Sequence, residues 1–346
     1  MTRNSVLCVL LAGLLVASTG LAAFSKVGTT GASFLKIAYG RATAMGDAFV
    51  GVADDPSASY FNPAGLARVG RSIQLNHSEW IADIRHENVA VVLPASWGTV
   101  CLAATALTMG DMEVTLIDDP TTDEREDEGI GLMFGASDIA VGASYARIIT
   151  DKLSFGLTAR YVQQTVWRMT AAAVGADLGL HYNTGFRSLR IGAVVNNYGS
   201  RLSFSGRDLE FGFNWPDSGP SSLIGMYKTE GVPLPTTFRF GIAYDLVDVS
   251  PSRLTAAVDL VHPSDINETV NFGLEYGYND LFYLRGGYIL NTDVDYQADI
   301  GWMTGLSAGV GLNTKPTELF SIGLDYSFRF FEYLKPTHRL LLTLGF

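Results

Sequence analysis

A strict alternation of apolar residues with glycine, polar and charged residues runs through much of the chain. In residues 269–278, for example, Val270 and Phe272 alternate with asparagine and glycine, and residues 237–246 and 319–330 repeat the pattern. Successive side chains of a strand point to opposite faces, so each stretch predicts a β-strand with one apolar and one polar face. Aromatic rings crowd the apolar face, which favours a lipid-facing exterior over the core of a soluble sandwich.

The C-terminal stretch carries the same pattern and ends on an aromatic side chain. One face holds Leu340, Leu342, Leu344 and Phe346, and the other holds Arg339, Thr343 and Gly345, with Leu341 as an apolar exception. This ending resembles the C-terminal signal of bacterial outer-membrane β-barrels, and the resemblance implies that the barrel-assembly machinery recognises the strand ending at Phe346. The alternative is an edge strand of a soluble domain that ends this way by chance.

On this template, the chain from residue 72 onward predicts about fourteen strands. Their centres fall near Gln74, Ala90, Ala103, Gly142, Leu157, Asp177, Gly192, Gly241, Val258, Gly273, Gly286, Ala308, Gly323 and Leu342. Brief turns such as 94–98 alternate with connections that include the two longest, 109–128 and 200–234. The predicted fold is an all-β, transmembrane antiparallel β-barrel of about 14 strands with a small N-terminal helical hatch.

The N-terminus has the features of an exported protein. Arg3 precedes an apolar run over residues 6–17 and small residues follow it, so residues 1–22 are predicted to be a cleaved signal peptide. No later run reaches the roughly 18 apolar residues of a spanning helix. We therefore expect the protein in the lipid of the bacterial outer membrane, with residues 23–70 as the hatch and 71–346 as the barrel.

Composition fits a barrel and argues against several functions. The chain has 37 glycines, 19 phenylalanines and 15 tyrosines, but only 17% charged residues. Loss of Arg3 with the signal would leave 23 basic and 35 acidic residues, so nucleic acid is not expected as a partner, because phosphate binding requires a basic surface. Cleavage would also remove Cys8 and leave Cys101 alone, which excludes an internal disulfide. No cofactor is predicted.

Residues 38–69 differ from the strands that follow, because small residues dominate and the alternation is missing. Asp55 before Pro56, and Asn62 before Pro63, each predict the start of a short helix, with the polar side chain as the cap and proline in the first turn. Such short pieces are not typical of barrel strands. We expect them to form a compact hatch inside the barrel.

A family resemblance rests on residues of this same segment. They are Gly40, Arg41, Ala44, Met45, Gly46, Ala48, Phe49, Asp54, Asp55, Asn62, Pro63, Ala64 and Gly65. Together they resemble the N-terminal signature of the PorV/PorQ family, which belongs with the FadL-like outer-membrane transporters. The resemblance implies a fourteen-stranded barrel with a hatch in its lumen. It also implies two roles, since FadL takes up long-chain fatty acids and PorV is a shuttle that collects cargo proteins in type IX secretion.

Two functions are therefore open. The signature favours a PorV/PorQ-type accessory or shuttle in protein secretion, and the alternative is a FadL-type channel for long-chain fatty acids or other hydrophobic small molecules. Either could use the apolar stretch 200–234 to bind a hydrophobic ligand or a secreted cargo protein. The predicted ligand or partner residues in it are Phe204, Phe211, Phe213, Trp215 and Tyr227. The other interpretation of this stretch is a lid folded over the barrel mouth.

Charged residues recur on the predicted lumen face. They are Arg160, Asp177, Arg190, Arg239, Glu275, Arg285, Asp325 and Arg329, together with Asp245, Asp259 and Arg339. Neighbouring strands carry opposite signs, which favours an internal network of ion pairs that holds the hatch. A polar transport path is the alternative.

No constellation of residues supports an enzyme. Residues 305–309 match the Gly-x-Ser-x-Gly motif around Ser307, but that motif requires a sharp strand-to-helix turn and this stretch continues a strand. The histidines lack metal-binding spacing, so no metal site is predicted. The acidic run at 118–128 is interpreted as a solvated loop, with Ca²⁺ or Mg²⁺ binding as the alternative. The same two interpretations apply to Asp293, Asp295 and Asp299.

Overall fold

The computed structural model describes residues 26, 28–114, 131–213, 223–317 and 319–346. Most of these residues lie in long strands, which we number β1 to β14 along the chain. They are β1 (Ser72–Glu79), β2 (Arg85–Ala95), β3 (Gly98–Thr108), β4 (Ala136–Ile148), β5 (Leu153–Val166), β6 (Met169–Asn183), β7 (Arg190–Gly199), β8 (Thr237–Val249), β9 (Ser252–Pro263), β10 (Thr269–Tyr278), β11 (Phe282–Asn291), β12 (Leu306–Thr317), β13 (Phe320–Arg329) and β14 (Thr337–Gly345).

The remaining elements are short. Two-stranded pairs are formed by Met112–Glu113 with Met133–Phe134 and by Glu210–Phe213 with Leu223–Met226, and Ser205–Gly206 pairs with β6. The α-helices are α1 (Arg41–Ala44), α2 (Ala58–Phe61) and α3 (Val294–Asp299), and the 3₁₀ helices are Ser33–Lys36, Pro63–Arg68, Ile81–Asp83 and Arg207–Leu209.

The fourteen long strands close into a barrel. Each pairs antiparallel with its neighbours along the chain, and β1 also pairs with β14, where Ile73 lies opposite Leu344. The wall therefore has no free edge, and every backbone group within it can be satisfied, which a span through lipid requires. The predicted fold class is confirmed, and each predicted strand centre lies in its own strand.

The two ends of the barrel differ. At one end, which we call the turn end, the strands join tightly, as at 96–97 between β2 and β3 and at 250–251 between β8 and β9. The opposite end, the loop end, carries the long connections 109–135 and 200–236. One loop-end connection is also short, because residues 167–168 alone join β5 to β6.

The predicted alternation of faces is confirmed in β14. Leu340 and Phe346 are 50% and 53% exposed on the outside, whereas Arg339 and Leu341 are 1% and 2% exposed on the inside. In β10, Leu274 points outward and Glu275 is buried inward. An apolar outer wall with a polar or small inner wall is what a lipid-embedded barrel requires. Within the described part of the chain, no helix has the length and apolarity needed to cross a bilayer.

Residues 30–69 pack inside the barrel. The amide nitrogens of Phe49 and Val50 donate to the Asp259 carboxylate at 2.8 and 2.9 Å, and that of Gly46 donates to Ser307 Oγ at 3.1 Å. Short helical pieces leave many backbone groups without partners, and a buried unpaired group is costly. Polar side chains on the inner wall therefore hold this segment in place.

Asn62 begins a helical turn, as predicted. Its side-chain oxygen accepts a hydrogen bond from the Ala64 nitrogen at 3.2 Å, and Pro63 takes the first helical position of a 3₁₀ helix. The side-chain amide also donates to the carbonyls of Val50 and Leu180, at 3.2 and 3.0 Å. Asn62 therefore joins two parts of the segment to the barrel wall.

The second predicted helix start is shifted along the chain. Asp55 caps the turn by accepting a hydrogen bond from the Ser57 nitrogen at 2.8 Å, but α2 itself begins at Ala58 and not at Pro56. Pro56 lies in a turn before the helix, where its fixed φ is also tolerated.

Inner-wall glycines allow this close packing. A methyl group at Gly287 would stand 2.0 Å from the backbone nitrogen of Gly46, and one at Gly192 would stand 2.2 Å from the Val50 carbonyl oxygen. Both distances are far below van der Waals contact, so no other residue fits without displacing the segment. The neighbouring Gly286 points outward and would have nothing within 4 Å of an added methyl group.

We expect Gly287→Ala to displace residues 30–69, at a cost of about 1–3 kcal/mol typical of overpacking. The matched control is Gly286→Ala, which adds the same methyl group to the outside of the same strand. Limited proteolysis of the folded, heat-modifiable barrel should cut the segment faster in the first variant than in the second. Equal protection of both variants would contradict the close approach.

Candidate functional site in the barrel lumen

The lumen towards the turn end contains an ion-pair network around a cavity of about 120 Å³. Arg285 Nε lies 2.6 Å from Glu275 Oε2, and its Nη1 lies 2.5 Å from Asp325 Oδ1. Arg41 belongs to residues 30–69, which we call the N-terminal segment. It lies 3.1 Å from Glu275 and 2.9 Å from Asp54. The network therefore joins strands β10, β11 and β13 to the segment, with Glu275 and Arg285 almost completely buried.

The other predicted lumen charges also face inward, and most are paired. Ion pairs join Arg160 to Asp177 (2.8 Å), Arg190 to Asp245 (2.7 Å) and Arg329 to Asp47 (2.6 Å). Arg239 instead lies over the rings of Tyr60 and Phe61, at 5.5 and 5.6 Å from their centroids. Two of these four arginines contact the N-terminal segment, so this geometry favours the internal network over an open polar path.

The lumen towards the loop end is apolar. We call this region the chamber, and its buried residues are Ala32, Phe34, Leu35, Ile37, Ala140, Val162, Ala171, Ala173, Leu202 and Leu234. Trp80, Leu107, Phe204 and Val232 pack against it while remaining partly exposed. Phe34 and Leu35 fill its centre and are 2% and 4% exposed. The protein thus places its own side chains in an apolar space that faces the loop end.

Polar contacts hold Lys26 and residues 28–37 at the loop end, and they include hydrogen bonds from Thr30 to Asp265 and from Lys26 to the Pro263 carbonyl. The Gly31 nitrogen donates to the Pro233 carbonyl at 2.9 Å, and the Ala32 nitrogen donates to Gln164 Oε1 at 2.8 Å. Further ion pairs tie Lys36 to Asp265 at 2.8 Å and Lys26 to Glu268 at 2.6 Å. Both ion pairs lie at the rim. Lys26 and Glu268 are 28% and 27% exposed, so solvent weakens that pair, whereas Asp265 is only 6% exposed and its pair with Lys36 is better shielded.

A small cavity lies between the chamber and the polar network. Its lining includes Phe34, Tyr39, Tyr60, His86 and Asn88. The space open to the centre of a water molecule is about 20 Å³, which is room for one water molecule or little more. An organic molecule would therefore fit only after residues 31–37 have moved.

The predicted ligand or partner residues do not form one surface. Phe204 packs against the chamber. Phe211 lies in the exposed hairpin of residues 210–213 and 223–226 and packs against Tyr227, which directly follows the hairpin, with tilted rings whose centroids are 4.6 Å apart. Trp215 and the side chain of Phe213 lie outside the described residues. The lid interpretation therefore fits Phe204, and the docking interpretation fits the hairpin.

The motifs with catalytic or metal-binding character have structural explanations. Ser307 lies within β12, where its hydroxyl accepts from the Gly46 nitrogen and donates to the Gly287 carbonyl. Asp293 caps α3 by accepting from the Tyr296 nitrogen at 3.1 Å. The acidic run at 118–128 lies outside the described residues. Among those that are described, no group of metal-binding side chains is present.

Phe34 and Leu35 were not predicted from the sequence to be site residues. The available signal was an apolar pair between Gly31 and Lys36, just before the small-residue segment. The local sequence pattern could not predict that Phe34 and Leu35 are buried, because the residues that they contact come from distant strands and from the connection 200–236.

The fold defines a class: a closed, fourteen-stranded antiparallel β-barrel with an apolar outer wall. No protein-family model and no curated protein matches the chain. Among solved structures, it is similar to the toluene transporter TodX of Pseudomonas putida, with a TM-score of 0.55, 13% identity, and 93% of this chain and 97% of that chain covered. It is also similar to the CymD monoaromatic hydrocarbon channel, with a TM-score of 0.54, 14% identity, and 94% and 99% covered.

At these identities the likeness is one of fold. The two similar structures are of a transporter and a channel. The PorV/PorQ resemblance of the N-terminal residues stays a prediction.

The rim contacts respond to pH. Partial burial acts to raise the pKa of Asp265, but the hydrogen bonds from Lys36 and Thr30 outweigh it and hold that pKa below its ordinary value. The hydrogen bond from Lys26 likewise holds the pKa of Glu268 below its ordinary value. Their stabilising contribution is therefore present above the unfolded-state pKa values of about 3.9 and 4.3, and is lost as the pH falls through the folded values.

We expect acid to release residues 26–37 from the loop end. In detergent, pepsin should cut this stretch slowly near pH 5 and rapidly below about pH 3, while the barrel persists. Asp265→Asn, which removes the partner of Lys36, should accelerate cleavage already near pH 5. Cleavage at one rate across this range, after correction for the enzyme's own pH dependence, would show that the two ion pairs do not hold the stretch.

Proposed function

We propose that the protein is an outer-membrane channel for hydrophobic small molecules, and that residues 31–37 act as its gate. The observation that carries the proposal is the apolar chamber at the loop end, filled by Phe34 and Leu35. Barrel interiors are ordinarily polar, so an apolar compartment inside one needs an explanation. The chamber is explained if it serves as a binding compartment for an apolar solute.

The way the chamber is filled supports a gate. Residues 31–37 pair with no barrel strand and are held by single hydrogen bonds and rim ion pairs. An apolar solute that takes the place of Phe34 would recover most of the buried contact, so the exchange costs little.

The cellular setting follows from the same proposal. Residues 1–22 would direct export and be removed, residues 23–70 would form the hatch, and residues 71–346 would form the barrel in outer-membrane lipid. The barrel-assembly machinery would recognise the strand that ends at Phe346. TodX and CymD are described as a toluene transporter and a monoaromatic hydrocarbon channel, which supports an aromatic compound as the first solute to test.

The test is uptake of labelled toluene by cells with an intact lipopolysaccharide outer leaflet that lack their own hydrocarbon channel. The protein should accelerate uptake, and Phe34→Ala with Leu35→Ala should accelerate it further, because weaker packing releases the gate. Leu66→Ala is the matched control, since Leu66 is equally buried in the same segment but lies outside the chamber. Uptake equal to that of cells with an unrelated barrel would contradict the proposal.

A second candidate function is the PorV/PorQ-type role in protein secretion. The observation that favours it is the apolar surface of the hairpin, where Ile224, Met226 and Tyr227 are 75%, 58% and 64% exposed. Large apolar side chains exposed together are typical of a protein-docking surface.

Changing these three residues to serine separates the two candidates. If the hairpin binds cargo, release of surface proteins should fall while the barrel stays folded and toluene uptake stays unchanged. Unchanged release would leave the hairpin without a role in secretion.

A further inference from the structure

Arg339 carries a buried charge that no acid neutralises. Its side chain is 1% exposed, and no carboxylate of the described residues lies within ion-pair distance of it. Nε donates to the Ala38 carbonyl at 3.1 Å and Nη1 donates to Thr337 Oγ1 at 2.9 Å. Nη2 has no hydrogen-bond partner among the described residues. An unpaired buried cation is costly, so this site favours a negatively charged guest.

The surrounding charges do not remove this excess. The nearby Arg329 pairs with Asp47 at 2.6 Å, so two buried cations share one acid. The aromatic face of Trp80 lies 5.3 Å from the Arg339 guanidinium, which stabilises the cation without neutralising it. One negative charge is missing from the cluster.

Further hydrogen-bonding groups stand beside Arg339 in the inner wall. The register places Arg339 opposite Ser78, and Ser78 opposite His86, so the three residues form one row across β14, β1 and β2. His86 is fully buried, and neither ring nitrogen has a hydrogen-bond partner within the described part of the chain. Strands lie about 4.8 Å apart, so the outer two Cα atoms are roughly 10 Å apart with only a small serine between them.

Three donor types therefore lie side by side on the inner wall, although each side chain is at most 1% exposed, so an anion could reach them only after the covering N-terminal residues have moved. Ser78 Oγ accepts a hydrogen bond from Asn76 Nδ2 at 2.9 Å and keeps its own hydrogen to donate. Arginine offers a planar pair of donors suited to a carboxylate, and the serine hydroxyl and the histidine N–H can each add one hydrogen bond. The row continues to Leu107, opposite His86, at the margin of the apolar chamber. A ligand whose anionic group lies at Arg339 would extend its apolar part into the chamber.

The chamber sets the shape of that apolar part. Phe34 fills its centre with a phenyl ring, and Tyr39 lies beside His86 with ring centroids 6.1 Å apart. A groove of about 860 Å³ opens at the loop end along Trp80, and Arg85, Lys335 and His338 lie on its lining. An aromatic ring is thus the body that could take the place of Phe34.

We propose that Arg339, Ser78 and His86 form a binding site for the carboxylate of an aromatic acid, whose ring occupies the space of Phe34. The inference rests on the proposed channel function, because residues 31–37 must leave the chamber first. It narrows the substrate class from uncharged hydrocarbons to aromatic organic anions.

The test compares benzoate with toluene, which share the ring and differ in the carboxylate. Equilibrium dialysis with the full-length protein in detergent should show benzoate binding that Arg339→Met weakens at least about tenfold, as expected for the loss of a charge-assisted hydrogen bond. Toluene binding should not weaken, because toluene makes no charge-assisted hydrogen bond to Arg339. Arg339→Lys should recover part of the benzoate affinity, because it keeps the charge.

Two further variants serve as controls. One alters the site without removing a charge, and the other removes a charge away from the site. Ser78→Leu adds bulk between Arg339 and His86 without removing a charge, and it should also weaken the binding of benzoate alone. Arg253→Met removes a lumen-facing arginine from the turn end and should change neither ligand. Folding of each variant is checked by heat-modifiable migration.

The outcomes separate the two proposals. Equal weakening of benzoate and toluene by Arg339→Met, or no weakening of benzoate by either Arg339→Met or Ser78→Leu, overturns the carboxylate site and leaves the channel standing. If neither compound binds the unchanged protein, the carboxylate site and the chamber as a binding compartment both fail.

Discussion

A closed barrel of fourteen strands encloses more space than its own inward side chains can fill, since about eight strands already leave just enough room for side chains. The chain fills the excess with its own N-terminal segment. That segment is mostly irregular, so its backbone groups must find partners in the wall. The Asp259 carboxylate serves two of them, and Asn76 Oδ1 serves a third, the nitrogen of Gly40. The polar inner wall and its glycines both follow from this one requirement.

The same requirement is met differently along the barrel axis. Towards the turn end, ion pairs such as Arg285–Glu275 are buried and interlocked, so separating one partner would leave an uncompensated charge. Towards the loop end, Phe34 and Leu35 rest on apolar contacts that another apolar body could replace. The lumen contents are therefore held firmly towards the turn end, whereas another apolar body could replace the side chains towards the loop end. This difference between the two ends supports the proposed gate at the loop end.

Strand positions could be predicted from the sequence because period-two alternation is a local property, and it also placed Arg339 and Arg329 in the lumen. Their partners could not be predicted, since Asp47 lies 282 residues from Arg329 and only closure of the barrel brings them together. The N-terminal signature was equally limited. Gly46 is required because its φ is +62° and a Cβ there would stand 2.6 Å from the Tyr288 nitrogen, and Asn62 is required by its cap and wall contacts. The signature residues are explained by the packing of the N-terminal segment inside the barrel. They therefore do not distinguish a shuttle for proteins from a channel for small molecules.

The fixed and exchangeable parts meet at Ala38. Its carbonyl oxygen accepts the Arg339 Nε hydrogen bond, and it directly follows the chamber residue Ile37. A carboxylate at Arg339 would compete with this carbonyl for the same guanidinium, and charge makes the carboxylate the stronger acceptor. Binding of the anion would therefore weaken the contact that holds residues 31–37 against the wall. A neutral hydrocarbon lacks this effect and could open the gate only by displacing Phe34, so the charge of the ligand, more than its size, would determine how readily the channel opens.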